Sequence, residues 1–428
     1  MIDKPFKIAI AGLGTVGIGV LKILQQNSEI VNLKAGRKLQ IVAISAKDKT
    51  KDRGLNLSRY KWFDDPLDFL KETNIDLVIE LVGGHDGIAK KLIEYALRNK
   101  KHVVTANKAL LAKHGHNLAI LAERSSLSLK FEAAIAGGIP IVKSLSEGLN
   151  ANQIKKVIGV LNGTCNYILT EMEKRNTSYE TVFAEAQALG YVEADPKLDV
   201  GGIDAAQKLS ILSAIAFGTK INFKAVDIEG IEGISLEDII NADLMGYKIK
   251  LLGIAELTKN NLSQEMKPCL VPCSSSISKI EGGNNMIIID GNFVGQTTYE
   301  GPGAGAGPTA SAVVADIIDV ARNNMRPTFG QPIETLKHLN ASTQKKVAYY
   351  LHFSLADKPG VLAKVAKVLG KYEVSIDRMR QPNHLGSNAP LVIITHKTDK
   401  EKLEYALTKI ESLDTCLSKP KALQIEEI

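Results

Sequence analysis

The chemically densest stretch of this chain is Gly190-Tyr191-Val192-Glu193-Ala194-Asp195-Pro196-Lys197-Leu198-Asp199-Val200-Gly201-Gly202-Ile203-Asp204-Ala205-Ala206-Gln207-Lys208. Glu193, Asp195 and Asp199 put three carboxylates within seven residues of a loop, and Asp204 and Lys208 follow at i and i+4 on the helix that the loop enters. Taken alone, such a pair is an exposed salt bridge worth roughly 0.3–0.5 kcal/mol. The rest of the helix, residues 209–217, is almost wholly Ile, Leu, Ala and Phe, so most of its circumference must be buried. A polar stripe on a buried helix needs a polar cavity or partners, and Asp204 and Lys208 are therefore expected to line a cleft. A pocket of lysines and carboxylates suits a zwitterionic amino acid whose ammonium is held by Glu193 and Asp199. It also suits proton transfer. A free lysine, with a pKa of about 10.4, is a poor base at neutral pH, but desolvation and a second cation, for which Lys108 is the candidate, both lower that value.

A second constellation lies at the N-terminus. An apolar run at 7–11 leads into Gly12-Leu13-Gly14-Thr15-Val16-Gly17 and then a helical stretch at 18–25. Gly12 makes a tight turn, Gly14 lets main chain approach a pyrophosphate, and Gly17 allows close packing of helix on strand. The helix N-terminus then attracts the anion. The motif alone is weak, but its place between strand and helix makes it a dinucleotide site. The next strand, 40–45, ends in Ser45-Ala46-Lys47 rather than in the carboxylate that accepts from an NAD ribose. A cation there favours NADP, with NAD still open; Lys47 and Arg37 are the candidate partners of a 2′-phosphate, although either reads equally well as a solvated surface charge. Leu81-Val82-Gly83-Gly84 and Val104-Thr105-Ala106-Asn107-Lys108 end two further strands where open α/β sheets bind ligands. Lys108 by itself is as readily a surface lysine.

These residues must be carried by more than one core, because 428 residues exceed a single ordinary domain. Strand-like runs at 7–11, 40–45, 77–81, 102–105 and 128–132 alternate with helical patterns, which predicts an α/β architecture with a Rossmann-type parallel sheet over 1–134. An α+β substrate-binding and dimerisation domain is expected over 135–308, with helices near 167–174 and 179–189 and a strand-rich stretch from 267 to 299. An apolar helix at 309–322 is expected to return to the first domain, and 323–346, with Pro327, Gly330 and Pro332, reads as a linker. Residues 347–428 then run strand, helix, strand, strand, helix, strand, a ferredoxin-like βαββαβ module.

Five motifs, Gly-Leu-Gly-Thr-Val-Gly at 12–17, Thr-Ala-Asn-Lys at 105–108, Gly-Gly-Ile-Pro at 137–140, Asn-Gly-Thr at 162–164 and the 190–208 run, resemble homoserine dehydrogenases in order and spacing. The resemblance implies NAD(P)-dependent interconversion of L-homoserine and L-aspartate 4-semialdehyde, on the way to threonine and methionine. It implies Glu193, Asp199 and Asp204, with Gly190, Tyr191 and Thr164, as substrate contacts. Lys208 would be the proton donor or acceptor, Lys108 would stand between cofactor and substrate, and Gly83, Thr105 and Gly307 would lie beside the cofactor. It further implies a monovalent cation, Na⁺ or K⁺, held by Glu132 and the carbonyls of Ile135, Gly137 and Ile139; from the residues alone Glu132 reads as a hinge salt-bridge partner. A homo-oligomer, dimer or tetramer, is implied as well. Residues 347–428 resemble an ACT domain through Leu355-Ala356-Asp357-Lys358-Pro359-Gly360-Val361-Leu362. There Asp357, Pro359, Gly360 and Val361 would present helix N-terminal amides to a carboxylate. The implied effector is an amino acid, with threonine expected because homoserine lies upstream of it.

Other classes fit less well. The charge of +6 is spread along the chain, and with 5% aromatic residues it does not make a nucleic-acid surface. No uninterrupted apolar run of about 18 residues suggests a membrane span, and no signal peptide is visible at Met1-Ile2-Asp3, so a reducing cytoplasm is expected. The four cysteines make no metal-ligand pattern. An aspartate-semialdehyde dehydrogenase would need a cysteine nucleophile, for which Cys165 is the one tempting candidate, without a positioned histidine. A non-catalytic NADP- and amino-acid-sensing regulator would be expected to lack the proton-transfer group, and Lys208 is present.

Overall fold

The computed structural model describes residues 2–72, 74–192, 195–258, 261–341, 345–382 and 386–428. The first layer is a parallel sheet in the order Lys61–Phe63, Arg37–Ser45, Ile2–Ala11, Leu77–Glu80, His102–Thr105, Leu129–Lys130. Helices cover both faces, so its strands are apolar without alternation: Ile8, Ala9, Ile10 and Ala11 are fully buried, as are Leu77, Val78 and Ile79. Strand order reverses beside Ile2–Ala11, and that switch point opens the crevice in which such folds bind dinucleotides. Lys61–Phe63 went unforeseen because three residues are too few to show a period. The expected final strand at 128–132 is only Leu129–Lys130; Glu132–Ala134 turns at once into a 3₁₀ helix.

Helix Ala306–Ala321 packs against Thr15–Gln26, and Gly19 makes the approach possible, since a Cβ there would stand 2.6 Å from the Ala306 carbonyl oxygen. Between these segments lies a second α+β layer. Ile154–Val160, Tyr247–Thr258, Asn261–Pro272, Asn284–Gly291 and Gly295–Pro302 form antiparallel neighbours, with Gly163–Arg175, Tyr179–Ala188 and Ile203–Phe217 contributing helices. The strand reading that began at 267 missed Tyr247–Thr258, which is buried from Ile249 to Ala255 and so lacks the alternation that marks a half-exposed strand.

The last module has the order Lys346–Ala356, Val361–Lys371, Ile376–Arg380, Asn388–Thr395, Lys400–Glu411, Lys421–Ile425. Its sheet does not stand apart. Lys421–Ile425 pairs antiparallel with Lys346–Ala356 and parallel with Asn261–Pro272, Cys269 opposite Gln424 and Leu270 opposite Ile425. One sheet therefore runs through the second layer and the last module, while the parallel sheet of the first layer stays separate. At the seam Asp238, fully buried, lies 3.0 Å from His352 Nδ1 and pairs with Lys421, while it also completes a capping box with Ser235. Burial opposes ionisation of Asp238, but the bonds from His352 and Lys421 outweigh it and hold the carboxyl well below the usual range.

The segment read as a linker is tied down. Phe329, Ile333 and Leu336 are buried, Phe329 packs on Phe131, and Glu123 accepts the amides of Thr328 and Ile333 at 3.1 and 2.9 Å. Its prolines and glycine mark changes of direction, not detachment.

Candidate active site

The glycine turn has the geometry that a dinucleotide needs. Gly12 takes φ +100°, and a Cβ on it would stand 2.3 Å from the Leu81 carbonyl oxygen; one on Gly17 would stand 2.1 Å from that of Gly12. Gly14 faces open space, and its neighbour Thr15 starts the helix, whose first amides lack side-chain caps. A cleft of about 870 Å³ opens here, lined by Gly12, Leu13, Gly14, Lys47 and Val82 among others. Arg37 is not in it. It starts its strand, at the edge opposite the ligand crevice, with its guanidinium over Phe6. The cations beside Lys47 are Lys51 and Arg53, which the sequence reading missed. Arg53 donates from Nε to the Leu13 carbonyl at 3.1 Å and lies over Trp62, which fastens the 48–53 loop to the glycine turn. Asp48, Asp64 and Asp65 also line the cleft.

Two loops at the strand ends are organised by Glu80, again missed. This carboxylate is fully buried; one oxygen accepts the amides of Val82 and Gly83 at 2.8 and 3.1 Å, and the other accepts the Thr105 hydroxyl at 2.6 Å. The hydroxyl expected to meet cofactor is thus committed to Glu80, and Thr105 is buried as well. Thr105 Oγ1 accepts the Asn107 amide at 3.0 Å, and Asn107 then caps the helix Lys108–Arg124 by accepting from Leu110 and donates to the Gly84 carbonyl. The chain of bonds sets Lys108 at the first position of its helix. Gly83, at φ +84°, leaves space where a side chain would be, and Gly307 sits open in the first turn of Ala306–Ala321.

Lys108 reaches across to the second layer. Its Nζ lies 2.8 Å from Asp204 Oδ1, while Lys208 Nζ lies 2.8 Å from Asp204 Oδ2 and donates to the Leu161 carbonyl at 2.9 Å. The two ammonium groups therefore end on different oxygens of one buried carboxylate. Burial opposes its ionisation, yet Lys208 and Lys108 together hold the Asp204 carboxyl far below the ordinary range. Asn162 donates to Asp199 at 3.0 Å and to Asp204 at 3.4 Å, and its carbonyl caps Gly163–Arg175 at the Cys165 amide. Thr164 donates to the Tyr191 carbonyl at 2.8 Å, and Gly190, Tyr191, Thr164, Asp199, Asp204, Lys108 and Lys208 share one cavity of about 480 Å³. Asn285 and the turn at Gly303-Ala304-Gly305 close its other wall. Asp195 instead caps the short helix Pro196–Asp199. Glu193 lies outside the described residues. Cys165 is fully buried, does not line the cavity and directs its Sγ to the Asp199 carbonyl at 3.3 Å, which is not the exposed thiol that a semialdehyde dehydrogenase needs; burial also pushes its thiol above the usual value.

Glu132 is buried below the cleft. Its two oxygens accept the amides of Val142 and Lys143 at 2.8 and 2.9 Å, while its own amide donates to Asp316. Burial and the Asp316 charge push the Glu132 carboxyl up to about 7. Ile135 and Ile139 are buried, and Gly137, at φ +56°, packs against the Gly303 carbonyl. Among the described residues no three His, Cys, Asp or Glu side chains gather as a metal cluster. In the last module Asp357, Pro359, Gly360 and Val361 line a separate cavity of about 290 Å³, with Gly360 at φ +84° starting Val361–Lys371.

Comparison with known proteins gives three matching family models: Homoserine dehydrogenase, NAD binding domain over residues 12–132, Homoserine dehydrogenase over 140–318, and ACT domain over 349–415. A homoserine dehydrogenase of Neisseria gonorrhoeae is 42% identical over 427 residues, covering 97% of each chain. The crystal structure of a homoserine dehydrogenase from Thiobacillus denitrificans is 40% identical with a TM-score of 0.94, covering 99% of both chains. A hyperthermophilic archaeal homoserine dehydrogenase mutant in complex with NADPH is 26% identical, covering 76% of this chain and 99% of its own, with a TM-score of 0.64.

Proposed function

This chain belongs to the homoserine dehydrogenase family, an NAD(P)-dependent oxidoreductase of L-homoserine and L-aspartate 4-semialdehyde, and we propose how its own residues perform that reaction. The observation that carries the reading is Asp204 bridging Lys108 and Lys208 at the wall of the 480 Å³ cavity. When bound, the cofactor would supply the hydride acceptor for C4 of homoserine or the hydride donor for the aldehyde. Lys208 exchanges the proton on the same oxygen: its ammonium donates as the aldehyde is reduced, and its neutral amine takes the proton as the alcohol is oxidised. Asp204 fixes both lysines. Lys108, on the helix that Glu80 and Thr105 position, faces the oxygen on which charge develops. Asp199 and Glu193 hold the substrate ammonium, and the amides at the start of Gly163–Arg175, beside Thr164 and Tyr191, receive its carboxylate.

Lys47, Lys51 and Arg53 favour a 2′-phosphate and hence NADP, while the carboxylates of Asp48, Asp64 and Asp65 leave NAD usable. The family resemblance alone suggests a monovalent cation, Na⁺ or K⁺, at Glu132 with the carbonyls of Ile135, Gly137 and Ile139; here both Glu132 oxygens already accept main-chain amides and the Ile139 carbonyl accepts that of Ile141. The 290 Å³ cavity of the ACT module would take threonine, its carboxylate at Gly360 and Val361. The outer strands Gly295–Pro302 and Ile376–Arg380 end the described sheet, which suits a dimer or tetramer. Four cysteines without disulfides suit the cytoplasm.

The test is an assay of purified full-length protein for homoserine-dependent reduction of NADP⁺ and of NAD⁺, repeated with threonine and with Na⁺ or K⁺ replaced. Turnover that threonine lowers supports the reading; an enzyme that neither responds to threonine nor binds it by calorimetry would leave the ACT module as an oligomerisation element.

A further inference from the structure

The two residues between strand Ile154–Val160 and helix Gly163–Arg175 meet two of the site's carboxylates and one of its lysines. The Leu161 carbonyl accepts Lys208 Nζ at 2.9 Å. The Asn162 side chain, 4% exposed at the wall of the 480 Å³ cavity, uses its two ends for different tasks. Its carbonyl oxygen accepts the Cys165 amide at 2.8 Å and so caps the helix; its NH₂ donates to Asp199 Oδ1 at 3.0 Å and, over a longer 3.4 Å, to Asp204 Oδ2. Cys165 in turn directs its Sγ to the Asp199 main-chain carbonyl at 3.3 Å. One helix start therefore holds Asp199 by both side chain and main chain.

A helix cap alone does not call for asparagine, since Ser and Asp cap about as well. A serine hydroxyl has one proton and a shorter reach, and an aspartate would set a third carboxylate against two that are already buried. Among cap residues only Asn offers an acceptor to the helix and two protons to the acids at once. We propose that Asn162 is a positioning residue for substrate binding, whose amide fixes the plane in which the Asp199 carboxylate meets the ammonium of homoserine. The inference rests on the reading above, which gives that ammonium to Asp199, and adds the residue through which Asp199 is held. A carboxylate accepts at about four lone-pair sites, so this bond sets its plane without saturating it. The approach to Asp204 is too long to rival the two lysines, each at 2.8 Å, so the effect falls on substrate affinity and not on proton transfer.

The test variant is Asn162→Ser, which keeps a helix cap and removes the NH₂; Asn162→Thr serves if the serine variant does not fold. Homoserine is titrated by calorimetry into the NADPH complex of the full chain, in which it cannot be oxidised. Its affinity should fall about 10- to 100-fold, the loss of one hydrogen bond to a charged group, while kcat at saturating homoserine changes by less than about 3-fold and NADPH affinity is unchanged. Asp199→Asn should also weaken homoserine, and Asn162→Ser/Asp199→Asn should be hardly weaker than the worse single variant, since both remove one interaction. Native homoserine affinity in Asn162→Ser, an equal loss of NADPH affinity, or a strictly additive cycle would each overturn the proposal. Native homoserine affinity in Asp199→Asn would instead refute the underlying assignment of the ammonium, and with it this inference; wild-type protein that does not oxidise homoserine would refute the dehydrogenase reading itself.

Discussion

Replacing Glu80 by Gln isolates one carboxylate oxygen in a fully buried setting. Gln can still offer a carbonyl oxygen to the amides of Val82 and Gly83, but its NH₂ then faces the Thr105 hydroxyl, 2.6 Å away in the native protein. Thr105 Oγ1 already accepts from the Asn107 amide, so the hydroxyl proton loses its acceptor. A buried unsatisfied hydroxyl costs about 1–3 kcal/mol, and two charge-assisted bonds become neutral ones besides. The 82–84 turn and the cap that starts the Lys108 helix should relax to recover that cost. If about 1.4–2.8 kcal/mol of transition-state stabilisation is lost, kcat/KM for homoserine falls roughly 10- to 100-fold, and NADPH binds more weakly. Thr105→Val should do similar damage from the other side by stranding Glu80. The double variant Glu80→Gln/Thr105→Val removes both groups, so its loss should be less than the sum of the singles by about 1–2 kcal/mol. The assay is a double-mutant cycle in kcat/KM, with calorimetric cofactor affinities of the same four proteins. Single variants with native kinetics, or a strictly additive cycle, would refute the role given to this pair.

Lys208→Ala should cut kcat by roughly 10²–10⁴ in steady-state assays while cofactor affinity by calorimetry stays close to wild type. Lys47→Asp should shift the ratio of kcat/KM toward NAD, and Arg53→Ala should shift it the same way while loosening the 48–53 loop; a ratio unmoved by both places selectivity elsewhere. Asp238 and Asp204 have folded pKa values held well below the unfolded value of about 3.9, so their contribution is full above pH ~4 and is lost progressively as pH falls from there toward the folded values. Thermal melts should therefore drop on the acid side, and Asp238→Asn, which leaves Lys421 to the Gly233 carbonyl and His352 to Glu237, should cost about 1–3 kcal/mol near neutrality with the deficit shrinking toward pH 3. A constant deficit from pH 7 to 3 would contradict the linkage.

What the sequence made legible was whatever is fixed by spacing. The glycine turn declares itself because each glycine answers a separate steric demand, and the Asp204–Lys208 pair because a polar stripe on an apolar helix has to face something. Lys108 was a candidate only by its place at a strand end; its bond to Asp204 depends on how two layers pack. Arg37 was misplaced for a reason the topology supplies, since it begins its strand and the ligand crevice lies at the strand's other end. Glu80 did leave a sign, a lone carboxylate within an otherwise apolar run, Leu77 to Val82, that leads into Gly83-Gly84. Asn285 left none, because nothing in its neighbours along the chain shows that its amide would be buried without partners.

The sheet that joins the second layer to the last module sets an order on how the chain can be completed. Asn261–Pro272 is synthesised well before the strand that flanks it, Lys421–Ile425, and in between the ribosome makes the helix that closes the cofactor domain and most of the ACT module. For that interval the edge near Cys269 and Leu270 has its backbone groups open and its buried side chains uncovered, an invitation to pair with another nascent chain. The seam residues Asp238, His352 and Lys421 likewise cannot meet until Lys421 has left the exit tunnel. The joining strand therefore works as a latch on assembly, and mutations in it should raise aggregation during synthesis more than they change the activity of molecules that have folded.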